Sequence, residues 1–139
     1  MENKYLFRGK RKDNGEWVEG YLSYPFCTKK GNKSYYFYAK DSLGFFCRCV
    51  VDASTICRCT GRTDRDEKLI FEHDVIVYLD TYSTESGYAE ADCAGEVLWD
   101  EETLSFQVTN RLSAESWEVL GGECKVLGNA IEHPELLEV

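Results

Sequence analysis

Cys47-Arg48-Cys49 and Cys57-Arg58-Cys59 place four thiols in two pairs with seven residues between them, and four thiolates are what a tetrahedral zinc site asks for. Spacing argues against it. Residues two apart on an extended strand share a face about 6.6 Å apart, whereas thiolates at about 2.3 Å from one zinc stand under roughly 4 Å from each other. The favoured reading is four small apolar side chains on the core face of paired strands, with Arg48 and Arg58 outward, because cysteine is among the most buried residue types.

His73 and His133 could each serve a cysteine nucleophile, yet neither has a recognisable partner in sequence, and both read as surface or turn-packing histidines. Asp64-Arg65-Asp66 opens like a calcium loop, but its sixth position is Leu69 and its twelfth is Val75, where glycine and glutamate are required. Asp92, Glu96, Asp100, Glu101 and Glu102 read as a solvated acidic face. No catalytic residue, metal site or cofactor is therefore assigned.

Nucleic acid recognition has a better claim. Lys4, Arg8, Lys10, Arg11 and Lys12, with Lys29, Lys30 and Lys33, cluster near Trp17, Tyr35, Tyr36 and Tyr38, the mixture of cations and stacking rings that holds single strands. The residues named for contact are Lys10, Arg11, Lys12 and Trp17. Against this stands a net charge of −9, which is unfavourable near a polyanion. That charge is uneven: residues 1–70 hold 14 Lys and Arg against 9 acids, whereas residues 71–139 hold 2 against 16. The acidic half could imitate a phosphate array and occupy a DNA-binding protein, although solubility alone accounts for an acidic surface.

The elements that must position these groups are strands. Apolar residues recur with a period of two in short segments broken by polar or glycine-containing stretches, and helical stripes are nearly absent, so the 139-residue chain reads as all-β. Tyr5 to Gly9 and Glu16 to Leu22 flank Lys12-Asp13-Asn14-Gly15, and the Asn-Gly pair is expected to supply the positive φ angles of a tight hairpin. Lys33 to Ala39 and Phe45 to Val51 form a second hairpin about Asp41-Ser42-Leu43-Gly44. Thr55 to Thr60 is a further strand, and the wholly polar Gly61 to Lys68 a surface loop.

Val75 to Leu79 reads as a strand buried on both sides, and Asp80 to Ala94 as a long loop or extended hairpin before Gly95 to Trp99. Leu104, Phe106 and Val108 alternate with Ser105, Gln107 and Thr109 as a half-buried strand. Trp117 to Leu120 and Lys125 to Ile131, separated by Gly121-Gly122, complete the set. Pro134 ends the last strand, and Leu136 and Leu137 clip the tail to the core.

Four ordered motifs carry a family resemblance. Phe7-Arg8-Gly9-Lys10-Arg11, then Gly15 to Leu22, then Thr60-Gly61 with Ile70-Phe71-Glu72 before Asp74-Val75, and finally Val126 to Leu137, resemble the YopX family of phage proteins. The resemblance runs from residue 5 to residue 138. It implies a phage or prophage protein, β-rich, with an SH3-like barrel in its C-terminal part, and brings no enzymatic activity with it. His73 stands where that family's Glu-Gly-Asp motif has glycine, so either a histidine adopts a left-handed conformation or the turn differs. Cys57 and Cys59 replace a glycine and an aromatic.

The expected architecture is an N-terminal hairpin-rich β region, residues 1–62, packed on a C-terminal SH3-like small barrel, residues 63–139. Seven cysteines, an odd number, read as reduced thiols. The N-terminus has charge where a signal peptide needs apolar residues and no stretch is long enough to span a bilayer, so a cytoplasmic protein of the bacterial host is expected. The expected role is that of a phage or prophage accessory or regulatory protein, not an enzyme, which binds a host or phage protein through its exposed hairpins. Self-association is compatible with its edge strands. The alternatives are a nucleic-acid-binding module in the basic half and an acidic DNA mimic.

Overall fold

A computed structural model describes residues 5–22, 26–27, 33–40, 43–109, 116–118 and 123–137. Lys4, Lys29 and Lys30 of the basic clusters, the Asp41-Ser42 part of the second turn and the Gly121-Gly122 break lie outside them. The protein is all-β with antiparallel sheets, and short 3-10 turns stand at Ala53–Thr55 and Pro134–Leu137. The chain divides into two compact units, Met1–Cys59 and Thr60–Val139.

In the first unit β1 (Phe7–Lys10) pairs with β2 (Trp17–Leu22), and β2 pairs with β4 (Lys33–Lys40) through Tyr21↔Tyr38 and Leu22↔Phe37. The short β3 (Phe26–Cys27) takes the other end of β4. β5 (Phe46–Val51) runs along β4 for six residue pairs, from Tyr35↔Val51 to Lys40↔Phe46. β5 then returns to where β1 ends. Arg11 bridges Val51, the Lys12 N–H donates to the Val50 carbonyl at 3.0 Å and the Asp52 N–H to the Lys10 carbonyl at 2.8 Å, so the ladder curls back on itself. β6 (Cys57–Thr63) pairs with the other edge of β1 through Phe7↔Arg58 and Arg8↔Cys57.

Inside the curl lie Phe37, Ala39, Cys49 and Val51, all buried, with Phe7, Val18, Leu22, Tyr35 and Ile56 against them. Removing a ring the size of Phe37 from water contributes about 1.5–3 kcal/mol. Gly9 leaves room for that ring: a Cβ there would stand 3.2 Å from Phe37 and 3.3 Å from Val51.

The first turn differs from the expected one. Its loop spans residues 11–16, the Gly15 N–H donates back to the Arg11 carbonyl at 3.0 Å, and of its residues only Gly15 has a positive φ, at 73°. Asn14 instead accepts the Glu16 N–H on its side-chain oxygen at 2.9 Å. A two-residue primed turn needs positive φ at both central positions; the longer loop needs it only where the chain turns back.

The second unit holds the end of β6, β7 (Leu69–Phe71), and a five-stranded sheet in the order β11-β10-β9-β8-β12. These are β8 (Asp74–Thr84), β9 (Gly87–Asp100), β10 (Ser105–Thr109), β11 (Ser116–Glu118) and β12 (Lys125–Asn129). Among the described residues the outer strands β11 and β12 do not pair with each other, so the sheet is open and an SH3-like closure is not seen. Its core is Ile70, Ile76, Val97, Val108, Cys124 and Val126, with Tyr78 and Phe106 packed against it.

One of the two alternatives left by the sequence holds, and two expectations change. Asp80 to Ala94 is the extended hairpin of β8 and β9, paired from Val75↔Glu96 out to Thr84↔Gly87. Leu79 is exposed, because at its level β8 has β9 beside it and the ladder to β12 has ended at Val77. Leu104 is 68% exposed with φ 53°, and belongs to the turn before β10 rather than to the alternating strand.

The supposed polar surface loop before β7 is anchored by a buried carboxylate. Asp64 is 3% exposed and accepts the Asp66 and Lys68 N–H groups on Oδ1, both at 2.9 Å, and the Val126 N–H on Oδ2 at 3.0 Å. Burial acts to raise its pKa, but the three donors overcome that and hold it below the ordinary carboxylate range.

At the tail, the Pro134–Leu137 turn sits against β12, where a Cβ on Gly128 would stand 3.0 Å from Leu136 Cδ1.

Candidate functional site

Register places a distinct set of side chains on the outside of the first unit. Residues opposite each other in an antiparallel pair share a face, and successive residues alternate. From Arg8↔Glu19, Lys10↔Trp17, Tyr21↔Tyr38, Tyr38↔Arg48 and Lys40↔Phe46 it follows that Arg8, Lys10, Trp17, Glu19, Tyr21, Tyr36, Tyr38, Phe46 and Arg48 lie on the face opposite the Phe37 core. This is a sheet face of rings and cations.

Two cations are already laid over rings. The Arg8 guanidinium carbon stands 5.3 Å from the centre of Trp17 and that of Arg48 stands 4.4 Å from the centre of Tyr36, both within the reach of a cation–π attraction. Beside the first pair opens a cavity of about 630 Å³, whose walls include Arg8, Trp17, Glu19, Tyr21, Tyr38 and Phe46. Tyr38 is 46% and Phe46 64% exposed, so flat ring surface faces water. Gly20 brings the walls together: a Cβ there would meet the Tyr38 carbonyl oxygen at 2.5 Å, so only glycine lets β2 run this close to β4.

The four residues named from sequence part company. Trp17 lies in the cavity wall, and Lys10 stands opposite it on the same face, its N–H donating to Thr55 Oγ1 at 2.8 Å. Arg11 turns to Asp13, donating from Nε at 2.9 Å and Nη2 at 2.6 Å, and those bonds hold the Asp13 carboxyl below its usual range. Lys12 is exposed in the turn and is not part of the cavity wall. Arg8 belonged to the basic cluster without being singled out, while Glu19, Tyr21, Tyr38 and Phe46 were not seen as a group. The signal for Arg8 was available: counted back across the hairpin, it falls on the same face as Trp17 and one pair further along.

The other chemical groupings occupy structural positions. Cys49 is in the first core, its Sγ 3.8 Å from the Phe37 carbonyl, and burial pushes its thiol upward. Cys57 and Cys59 are buried, Cys57 donating to the Thr55 carbonyl at 3.3 Å, while Cys47 is half-buried. Among the described residues no three His, Cys, Asp or Glu side chains stand close enough to share a metal ion.

His73 has φ 69°, so it adopts the left-handed conformation that a glycine would otherwise supply, and its backbone joins the Val97 carbonyl and the Ala130 N–H, each at 2.7 Å. Its Nδ1 lies 2.7 Å from Glu96 Oε2, and that of His133 lies 3.1 Å from Glu135. Asp100 accepts the Glu102 N–H at 2.9 Å. Glu96 and Asp100 of the acidic set therefore have local partners.

The fold and this face together define an all-β protein of two units, one of which presents a cation-and-ring surface with a cavity in it. The YopX protein family matches residues 6–138, nearly the whole chain, and the chain belongs to that family. No curated protein matches it. Among the described residues no helix is long and apolar enough to cross a membrane.

Proposed function

We propose that this YopX-family chain is a phage or prophage accessory protein that acts by binding rather than by catalysis, and that the outer face of its first unit takes single-stranded nucleic acid. The supporting observation is the Arg8–Trp17 cavity, with exposed rings of Tyr38 and Phe46 in its walls and the Tyr36–Arg48 pair on the same face. Bases stack on such rings whatever their identity, and cations between the rings meet the backbone phosphates. Sequence alone favoured a protein partner because of the net charge of −9. That objection applies to the whole-chain sum, whereas the first unit is basic by itself: residues 1–59 carry 11 Lys and Arg against 6 acids, residues 60–139 carry 5 against 19.

The protein-partner reading keeps one observation of its own. Leu43 is 80% exposed beside the exposed Phe45 and Phe46 at the β4–β5 turn, an apolar tip of the kind that docks on another protein or a second copy.

Titrating a labelled, unstructured strand of about 12 nucleotides, within the span of single-strand sites on small β-barrels, decides between them by fluorescence anisotropy. With Arg8, Lys10 and Arg48 each meeting a phosphate, affinity falls about 20-fold between about 50 and 200 mM salt. Trp17→Ala weakens binding about 5- to 150-fold, the range of one lost base stack. Absence of binding at the lower salt removes the nucleic-acid reading and leaves the apolar tip.

A further inference from the structure

One wall of the cavity carries a carboxylate, which a general stacking surface does not need. Glu19 is exposed, lies directly across the hairpin from Arg8, and lines the same cavity as Trp17, Tyr21, Tyr38 and Phe46. Near a polyanion an acid is unfavourable unless it reads something. An ionised carboxylate only accepts hydrogen bonds, through two oxygens side by side.

Among the unpaired bases, guanine alone offers two adjacent donors on its Watson–Crick edge, N1–H and the N2 amino group. Adenine and cytosine each set one amino donor beside an acceptor, and thymine sets one N–H between two acceptors. Unpaired strands expose these edges to side chains. The cavity volume of about 630 Å³ falls in the range of small-ligand sites, about 300–1,000 Å³.

We infer that the cavity seats one unpaired guanine of a single strand, with the base stacked on the wall rings and N1–H and N2–H donating to the two Glu19 oxygens. This rests on the reading of the outer face as a nucleic-acid surface. Arg8, held on Trp17, supplies positive charge for the phosphate of that nucleotide. The Tyr36–Arg48 pair, on the same face and outside the cavity, gives a neighbouring nucleotide a second ring and cation, which favours a strand over a free nucleotide.

The test uses four strands of about nine nucleotides, a length within the span of single-strand sites, alike except for a central G, A, C or T in a thymine background. They are titrated against the full chain and Glu19→Gln, with guanosine monophosphate as competitor. The wild-type chain binds the G strand about tenfold more tightly than the all-thymine strand, the scale of hydrogen bonds to a charged acceptor. Glu19→Gln loses the G preference, because its amide pairs one acceptor with one donor. Equal binding of all four strands by the wild-type chain, or a G preference that survives in Glu19→Gln, overturns the guanine seat while leaving the nucleic-acid surface standing. Displacement by guanosine monophosphate at the strand's own dissociation constant overturns the strand as ligand. Failure of every strand to bind overturns the surface itself. Glu19 is exposed, and an unchanged tryptophan emission spectrum confirms that the variant is folded.

Discussion

Asp64 illustrates how much a single polar side chain can decide in a fold of short strands. It closes the loop to Lys68 and ties that loop to β12, and its two oxygens take three N–H groups. Asp64→Asn leaves one acceptor oxygen and sets an amide N–H₂ against a buried donor, so the variant loses about 1–3 kcal/mol at neutral pH. The native carboxyl titrates below its unfolded value, so its contribution is present above about pH 4 and is lost as the pH falls through the lower folded pKa. Urea unfolding of both proteins should show a stability gap at neutral pH that narrows toward pH 3. A gap that widens on acidification contradicts the assignment. In the sequence, Asp64 sat in a run of charged residues with nothing to mark it as buried; the marker is its distant partner Val126, and contacts between residues so far apart leave no local pattern. His73 was legible as a departure from glycine, and its left-handed conformation follows the alternative in which the residue itself adapts, at a cost of about 1–3 kcal/mol.

At the level of elements, alternation located nearly every strand, because each strand has one face on a core and the period of two records it. It failed where a residue's neighbours decide its burial. Leu79 closes a continuous apolar run and Leu104 keeps the alternation of its segment, yet the ladder to β12 has ended before one and the other sits in a turn. The cavity depends on the β2–β4 contact, and that contact depends on Gly20. Gly20→Ala drives a methyl into the Tyr38 carbonyl, so β2 must move from β4. The expected result is a loss of about 1–3 kcal/mol, the scale of overpacking, together with a change in Trp17 fluorescence, because Trp17 lies on the strand that moves. Unchanged stability and emission would mean that the two strands are not this close.

For the molecule as a whole, the charge split was plain from counting, whereas its use was not. Opposite charges in two halves of a chain fit several functions equally, and only the register of β1, β2, β4 and β5 shows that cations and rings share one face. The curl of the first unit was equally hidden, since Arg11↔Val51 joins residues far apart in sequence, while the open sheet of the second unit shows that a resemblance can carry an expected barrel further than the strand pairings do. The central claim is that recognition belongs to the outer face of the first unit. Backbone and side-chain NMR shifts, followed while an unlabelled single strand is added to the full chain, test it most directly. The account predicts perturbations concentrated at Arg8, Trp17, Glu19, Tyr21, Tyr38, Phe46 and Arg48. Perturbations confined to residues 60–139, or a spectrum that does not change with excess strand, would contradict it.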